Sequence, residues 1–255
     1  ASDPTFRNQI GIDMEKMRAR RVAIDNKNGN NREMFWRPQD GETTIRIVPT
    51  PDGDPFKDYW FHYNVGNAPG FLSPKKNFGE DDALDAFVRK LYKEGTEESI
   101  KMAKSLSARQ RFFAPVVVRG EEDKGVRVWG FGKMAYEKLL NLVLNPEYGD
   151  ITDSEAGTDL VIRYGKPAGA SFPQTEITPR RRPSLLCEDE AQCAEWLDTI
   201  PDLDSLFERK TPEEVEAILD EYLSGNADTG SSENLEKYST ESSNSVDKAF
   251  SELLS

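Results

Sequence analysis

The residues with the most chemical potential are aromatic side chains interleaved with arginine and lysine. In Val126 to Gly132 (VRVWGFG), strand alternation places Arg127, Trp129 and Phe131 on one face and Val126 and Val128 on the other. Aromatic rings stack on nucleobases whatever the sequence, while guanidinium and ammonium groups track phosphates, so this pairing is the chemistry of single-strand nucleic-acid binding. Arg109, Arg111, Phe112, Phe113 and Arg119 extend the pattern along the preceding run. The same rings, Trp129, Phe112 and Phe113 above all, read equally as core. Arg180-Arg181-Arg182 follows Phe172, Pro173 and Pro179, which makes it extended rather than helical. Several guanidinium groups on such a run can clamp one phosphate backbone; the plainer reading is a solvated turn.

Other reactive groups are sparse. Glu80, Asp81, Asp82 and Asp85 could hold a hard cation or serve a metal-dependent nuclease. The first turn of a helix explains them better, since acids there oppose its dipole and Asp85 can pair with Arg89 one turn on. His62 is the lone histidine, which weakens any histidine-based catalysis. Cys187 and Cys193 lack a zinc spacing and read as buried or incidental thiols. With no Gly-rich phosphate loop, nucleophile elbow or HExxH motif, the sequence points to binding and not to an enzyme.

The net charge of −13 would argue against a nucleic-acid partner, but it is unevenly placed. Residues 187–255 carry 19 acidic and 4 basic side chains, net −15, which leaves the preceding residues at +2. No stretch approaches the roughly 18 consecutive apolar residues of a membrane span, and the N-terminus lacks a signal-peptide core. A soluble intracellular protein with no membrane partner is expected, in a reducing compartment given only two cysteines.

Several elements must position these groups. A basic helix is expected over Phe6 to Ala23, then a breaker at Asn26 to Asn31, and strands at Phe35-Trp36 and Thr43 to Val48. Asp58 to Gly79 reads as an irregular aromatic loop. Helical spacing returns over Asp82 to Tyr92 and Glu97 to Leu106. Arg111 to Arg119 and Val126 to Gly132 form a hairpin signature around Gly120 to Gly125, followed by a helix over Met134 to Leu144 and a strand over Asp159 to Tyr164. Acidic helices follow at Asp189 to Ile200 and from Thr211, where Thr211, Pro212 and Glu214 spell a capping box. Gly225 to Asn244 is too polar to pay its ordering entropy, and Val246, Phe250, Leu253 and Leu254 mark a short terminal helix of the kind that docks on a partner.

This order of features resembles the single-stranded-DNA-binding protein of large contractile-tailed phages, closest to versions from phages of cyanobacteria. The likeness covers most of Arg32 to Ser224 and rests on RFFAPVVVRGEEDKGVRVWGFGKMAYEKLLNLV (Arg111 to Val143), GKPAGASFPQTEITPRRRPS (Gly165 to Ser184) and the acidic helical end. It implies a mixed α/β, mainly β chain: an N-terminal basic arm (1–31), an OB-fold barrel (32–186) with an inserted helical subdomain at about 58–107, acidic helices (187–224), and a disordered acidic tail (225–255). The family's zinc site has one His and three Cys. Here His62 stands with Ser73, Asp82 and Asp85, a donor set that predicts weak or absent zinc binding and a subdomain held by Phe78, Leu84, Phe87 and Leu91. The family's cooperativity motif is represented only by Arg18-Ala19-Arg20-Arg21.

Carried over by position, the resemblance implies a cleft lined by Arg46, Trp129, Phe131, Lys133, Phe172 and Arg180, Arg181 and Arg182. Its other wall is implied to hold Tyr59, Lys75, Lys76, Arg89, Lys90 and Tyr92. Arg109, Arg111, Arg127 and Trp60 complete the expected DNA-contacting set. The implied partners are single-stranded DNA, phage replication and recombination proteins through the tail, and further copies along DNA, in the cytoplasm of an infected bacterial host. No cofactor is expected. The −15 end would fold over the basic cleft until DNA displaces it, so removing Gly225 to Ser255 should tighten DNA binding. The rival reading is an acidic protein-interaction adaptor whose aromatic strands are only core.

Overall fold

The computed structural model describes residues 31–207 and 209–228. The expected helix over Phe6 to Ala23 and the terminal helix near Phe250 lie outside the described residues. In chain order the elements are α1 (Asn31–Met34), β1 (Phe35–Trp36), β2 (Gly41–Ile47), β3 (Lys57–His62), β4 (Phe71–Leu72), α2 (Pro74–Phe78), α3 (Ala83–Glu94) and α4 (Glu97–Leu106). Then follow β5 (Arg109–Val118), β6 (Arg127–Phe131), α5 (Lys133–Leu144), β7 (Leu160–Gly165), β8 (Gln174–Pro179), α6 (Glu190–Asp198), α7 (Leu203–Leu206) and α8 (Pro212–Asp228). The result is a mixed α/β structure built mainly on one eight-stranded sheet.

The long strand β5 organises that sheet. Its first half pairs antiparallel with β3 (Arg109↔Phe61 to Phe113↔Lys57), and its last residues pair with β2 (Val116↔Ile47 to Val118↔Ile45). Pro115, which has no N–H to give a ladder, sits between those two pairings. The hairpin expected around Gly120 to Gly125 forms, with β6 antiparallel to β5 from Phe112↔Phe131 to Val116↔Arg127. The strand path runs β1-β6-β5-β2-β7-β8, with β3 and β4 branching from β5. Among the described residues its two ends, β1 and β8, do not pair, so the barrel expected from sequence is left open there.

Asp58 to Gly79, expected as an irregular loop, instead supplies β3, β4 and α2. Tyr59, Phe61 and Tyr63 alternate along β3 and beyond and are buried. A strand covered on both sides shows no polar alternation, which hid it among the glycines and prolines. The helical expectations over Glu97 to Leu106 and from Thr211 hold. Thr211 Oγ1 accepts from the Glu214 amide at 3.2 Å while Glu214 Oε2 accepts from the Thr211 amide at 2.7 Å, a complete capping box.

The core on one face of the sheet is apolar, with Ile45, Ile47, Ala114, Val116, Trp129, Leu139 and Ile162 packed together. A second cluster covers the opposite face, where Leu203 and Phe207 of the C-terminal segment pack on Tyr59, Phe61 and Phe113. In the inserted helices Leu84, Val88 and Leu91 meet Val215 and Leu219 of α8. Phe78 does not join that core as expected: it is 41% exposed, and the Arg209 guanidinium lies 3.6 Å from its ring centroid. Cys187 and Cys193, expected as separate thiols, are joined as a disulfide with their Cα atoms 5.7 Å apart, beside Leu186 and Trp196. Among the described residues no helix is long and apolar enough to cross a membrane.

Candidate nucleic-acid interface

The expected DNA-contacting residues fall in four places. The first is the core. Arg46 is fully buried. Its Nε donates to Asp159 Oδ1 at 2.8 Å, Nη1 to the Asp153 carbonyl at 3.2 Å, and Nη2 to the Ser184 carbonyl and hydroxyl at 2.5 and 2.8 Å. Burial lowers the pKa of this guanidinium and Asp159 opposes the shift. An arginine so enclosed cannot reach a phosphate; it ties β2 to the loop before β7 and to Ser184. Arg119 reinforces it, binding both Asp159 oxygens and the carbonyls of Leu185 and Leu186.

Four further expected contacts are corrected on the same ground. Tyr59 is buried, and its hydroxyl donates to Asp204; burial first, then that carboxylate, push its pKa upward. Arg127 is 9% exposed and paired with Glu121, whose pKa the bond lowers. Trp129 and Phe131 are 1% and 4% exposed, because the face of β6 expected to meet bases packs into the apolar core with α5 and β2. The alternation holds, but both faces of β6 are covered, Val128 on the other being 1% exposed in the second cluster.

The second place is the junction of β3 with the inserted helices. Asn77 of α2 clamps β3 by accepting from the Trp60 amide at 2.9 Å and donating to its carbonyl at 2.7 Å. That docking holds half-buried Trp60 with Lys76 Nζ 5.3 Å from its ring centroid. Lys75 is exposed on the same helix, and half-buried Arg109 pairs across to Phe61 on the adjoining strand. On α3, Arg89, Lys90 and Tyr92 are exposed, with Arg89 bound to Asp85 at 3.2 Å as the spacing predicted.

The third place is the far edge, where Arg180, Arg181 and Arg182 are exposed after β8 and Phe172 is half-buried before it. Arg180 donates to Thr44 Oγ1 across the sheet. In strand order β7, β2 and β5 lie between this edge and β3.

The fourth is a cleft of about 250 Å³ at the open end of the strand path. Both terminal strands line it, β1 through Phe35 and Trp36 and β8 through Thr175. Arg111, Trp129 and Phe131 meet there with Arg37, Gln39 and Tyr164, which sequence reasoning missed. Trp36 and Trp129 stand edge to face at 5.8 Å, and Trp129 lies 4.6 Å from Phe131. Arg111 Nη2 donates to the Gly130 carbonyl at 3.3 Å. Lys133 follows the lining residue Gly132 and is exposed, 3.8 Å from Glu137. The signal for the missed residues was present, since Phe35-Trp36-Arg37 repeats the aromatic-then-cation pattern used elsewhere.

Of the four positions expected from sequence as a degenerate zinc site, His62, Ser73, Asp82 and Asp85, the first three converge. Asp82 Oδ2 accepts from Ser73 Oγ at 2.7 Å and lies 3.0 Å from His62 Nε2, while His62 Nδ1 faces the Leu106 carbonyl at 3.1 Å. Burial alone would raise the Asp82 carboxyl, but the His62 bond and charge, the Ser73 hydroxyl and the Asp85 amide hold it at about 2. Asp85 turns its side chain outward to Arg89. With both imidazole nitrogens engaged and one expected ligand pointing away, these residues do not fit a closed zinc site. Among the described residues no group of three or more His, Cys, Asp or Glu side chains is placed to hold a metal. No family model matches the chain, and a search of curated proteins finds no match.

Proposed function

We propose that the protein binds single-stranded DNA without sequence preference, on an OB-type sheet and its inserted helices, in phage replication, recombination and repair. The observation that carries this reading is an accessible ring beside exposed cations: half-buried Trp60, with Lys76 Nζ 5.3 Å from its ring centroid and Lys75 exposed on the same helix. That combination matches what unpaired nucleotides need, a π-face and a phosphate counter-charge. The exposed run Arg180, Arg181 and Arg182 offers further cations. The acidic end then acts as a competitor for the cationic sites and, once displaced, as the contact for replication and recombination partners. The test is quenching of tryptophan fluorescence by oligo-dT against duplex DNA across a salt series. Binding is expected to favour the single strand and to weaken with a log–log slope near about −0.7 per neutralised phosphate. Equal affinity for duplex, or no quenching at low salt, would sink the reading and leave an acidic adaptor built on α6 to α8.

A further inference from the structure

Among the described residues two aromatic side chains are exposed, Phe78 and Tyr92, and both stand on the inserted helices. A lone exposed ring is ordinary. What sets Phe78 apart is how it is held. The short helix α2 is closed at both ends: Ser73 Oγ accepts from the Lys76 amide, Pro74 takes the first position, and Gly79, at a φ of +70°, ends it. The Gly79 amide donates to the Lys75 carbonyl at 3.0 Å and the Glu80 amide to the Pro74 carbonyl at 3.3 Å. Asn77 faces inward, bonded to the Trp60 backbone and the Ser73 carbonyl. Phe78, about 100° further round the helix, is thereby turned away from β3 and towards the face of Lys75, three residues before it. The Arg209 guanidinium covers one side of the ring, and Glu80 holds that guanidinium in place. The remaining side is open, and a Cβ built on neighbouring Gly79 meets nothing within 4 Å.

We infer that Phe78 is a base-stacking residue, which takes one nucleobase of the bound strand on its open face while exposed Lys75 and Lys76 meet the adjoining phosphates. The inference rests on the single-strand reading above and deepens it, adding to Trp60 a second ring at the same junction of α2 and β3. Stacking needs a planar face open to water, and this ring has one. Arg209 is a positioning residue: seated on the back of the ring and tied to Glu80, it fixes the plane that a base would meet. A mere clip between α2 and the segment that leads into α8 would use only the covered side, so the two roles separate by experiment.

Phe78 belongs to none of the apolar clusters, so its replacement leaves the core intact. Full-length wild type, Phe78→Ala and Phe78→Tyr are titrated with oligo-dT and with an all-abasic oligonucleotide of the same length. Thermal melting of each protein is recorded alongside. Phe78→Ala is expected to bind oligo-dT about five- to 140-fold more weakly, the worth of one stacked base, with abasic affinity unchanged, and Phe78→Tyr to match the wild type. Phe78→Trp gives a second measurement and carries the test if Phe78→Ala does not fold: oligo-dT should quench its added indole beyond the wild-type signal. Wild-type affinity for oligo-dT in folded Phe78→Ala, or an added indole that oligo-dT leaves unquenched, overturns the stacking role alone. So does an equal loss on both oligonucleotides, which would place the effect in the cations. Failure of the wild type to bind oligo-dT overturns the single-strand reading with it.

Discussion

Replacing Arg46 separates a structural cation from a DNA-contacting one. Methionine keeps most of the side-chain volume, so Arg46→Met leaves little cavity and chiefly deletes donors. Asp159 retains both of its bonds to Arg119, so its charge is not orphaned. The carbonyls of Asp153 and Ser184 and the Ser184 hydroxyl lose their partner, at about 1–3 kcal/mol each wherever water cannot replace it. With some hydration the sum comes to about 3–5 kcal/mol. Against a total stability of about 5–15 kcal/mol this is a large fraction. Urea unfolding followed by tryptophan fluorescence should show a lower midpoint at unchanged slope, with oligo-dT affinity of the folded protein intact. A variant of wild-type stability that had lost oligonucleotide affinity would refute the argument, because it would mean that the guanidinium reaches solvent and phosphate.

Gly157→Ala should destabilise through the same network, by about 1–3 kcal/mol or more, since its Cβ would lie 2.2 Å from Arg46 Nη1 and 2.4 Å from the Asp153 carbonyl oxygen; a melting temperature equal to wild type would count against that crowding. The Asp82 carboxyl, held at about 2 against an ordinary 3.8, contributes about 2 kcal/mol that is fully present above the ordinary value and is lost as pH falls through the folded one. The stability gap between wild type and Asp82→Asn should therefore narrow on acidification across that window, and a gap independent of pH would disprove the assignment. Joint Ser73→Cys, Asp82→Cys and Asp85→Cys substitution beside His62 should create zinc binding that elemental analysis detects above the wild-type level; no gain in zinc would count against the view that only the donor types exclude the metal.

Local signals were legible where one physical cause dominated. The capping box at Thr211, the i,i+4 pair of Asp85 and Arg89, and the hairpin around Gly120 each depend on neighbours in sequence and formed as read. Burial was harder to read. Arg127, Trp129 and Phe131 alternate as expected, yet nothing in β6 itself tells that α5 and β2 will cover that face. Arg46 looked like a cleft cation because Asp159 and Ser184, which enclose it, lie more than a hundred residues away in the chain. β8 was not anticipated because its six residues pair with β7 along one edge only and carry no strong apolar alternation. Arg37, Tyr164 and Thr175 become neighbours only once both ends of the sheet path approach each other.

The seating of α8 against the inserted helices bears on how the chain is made. Leu84, Val88 and Leu91 find part of their cover in Val215 and Leu219. During synthesis the inserted helices therefore emerge with an apolar flank that stays wet until the chain between Leu106 and Thr211 has left the ribosome. The sheet, whose β5–β6 hairpin is local, can assemble ahead of them. Fragments that end before Thr211 would present that flank to one another and aggregate, so any shortening meant to remove the acidic end must begin beyond Asp228, and not at Gly225 within the helix.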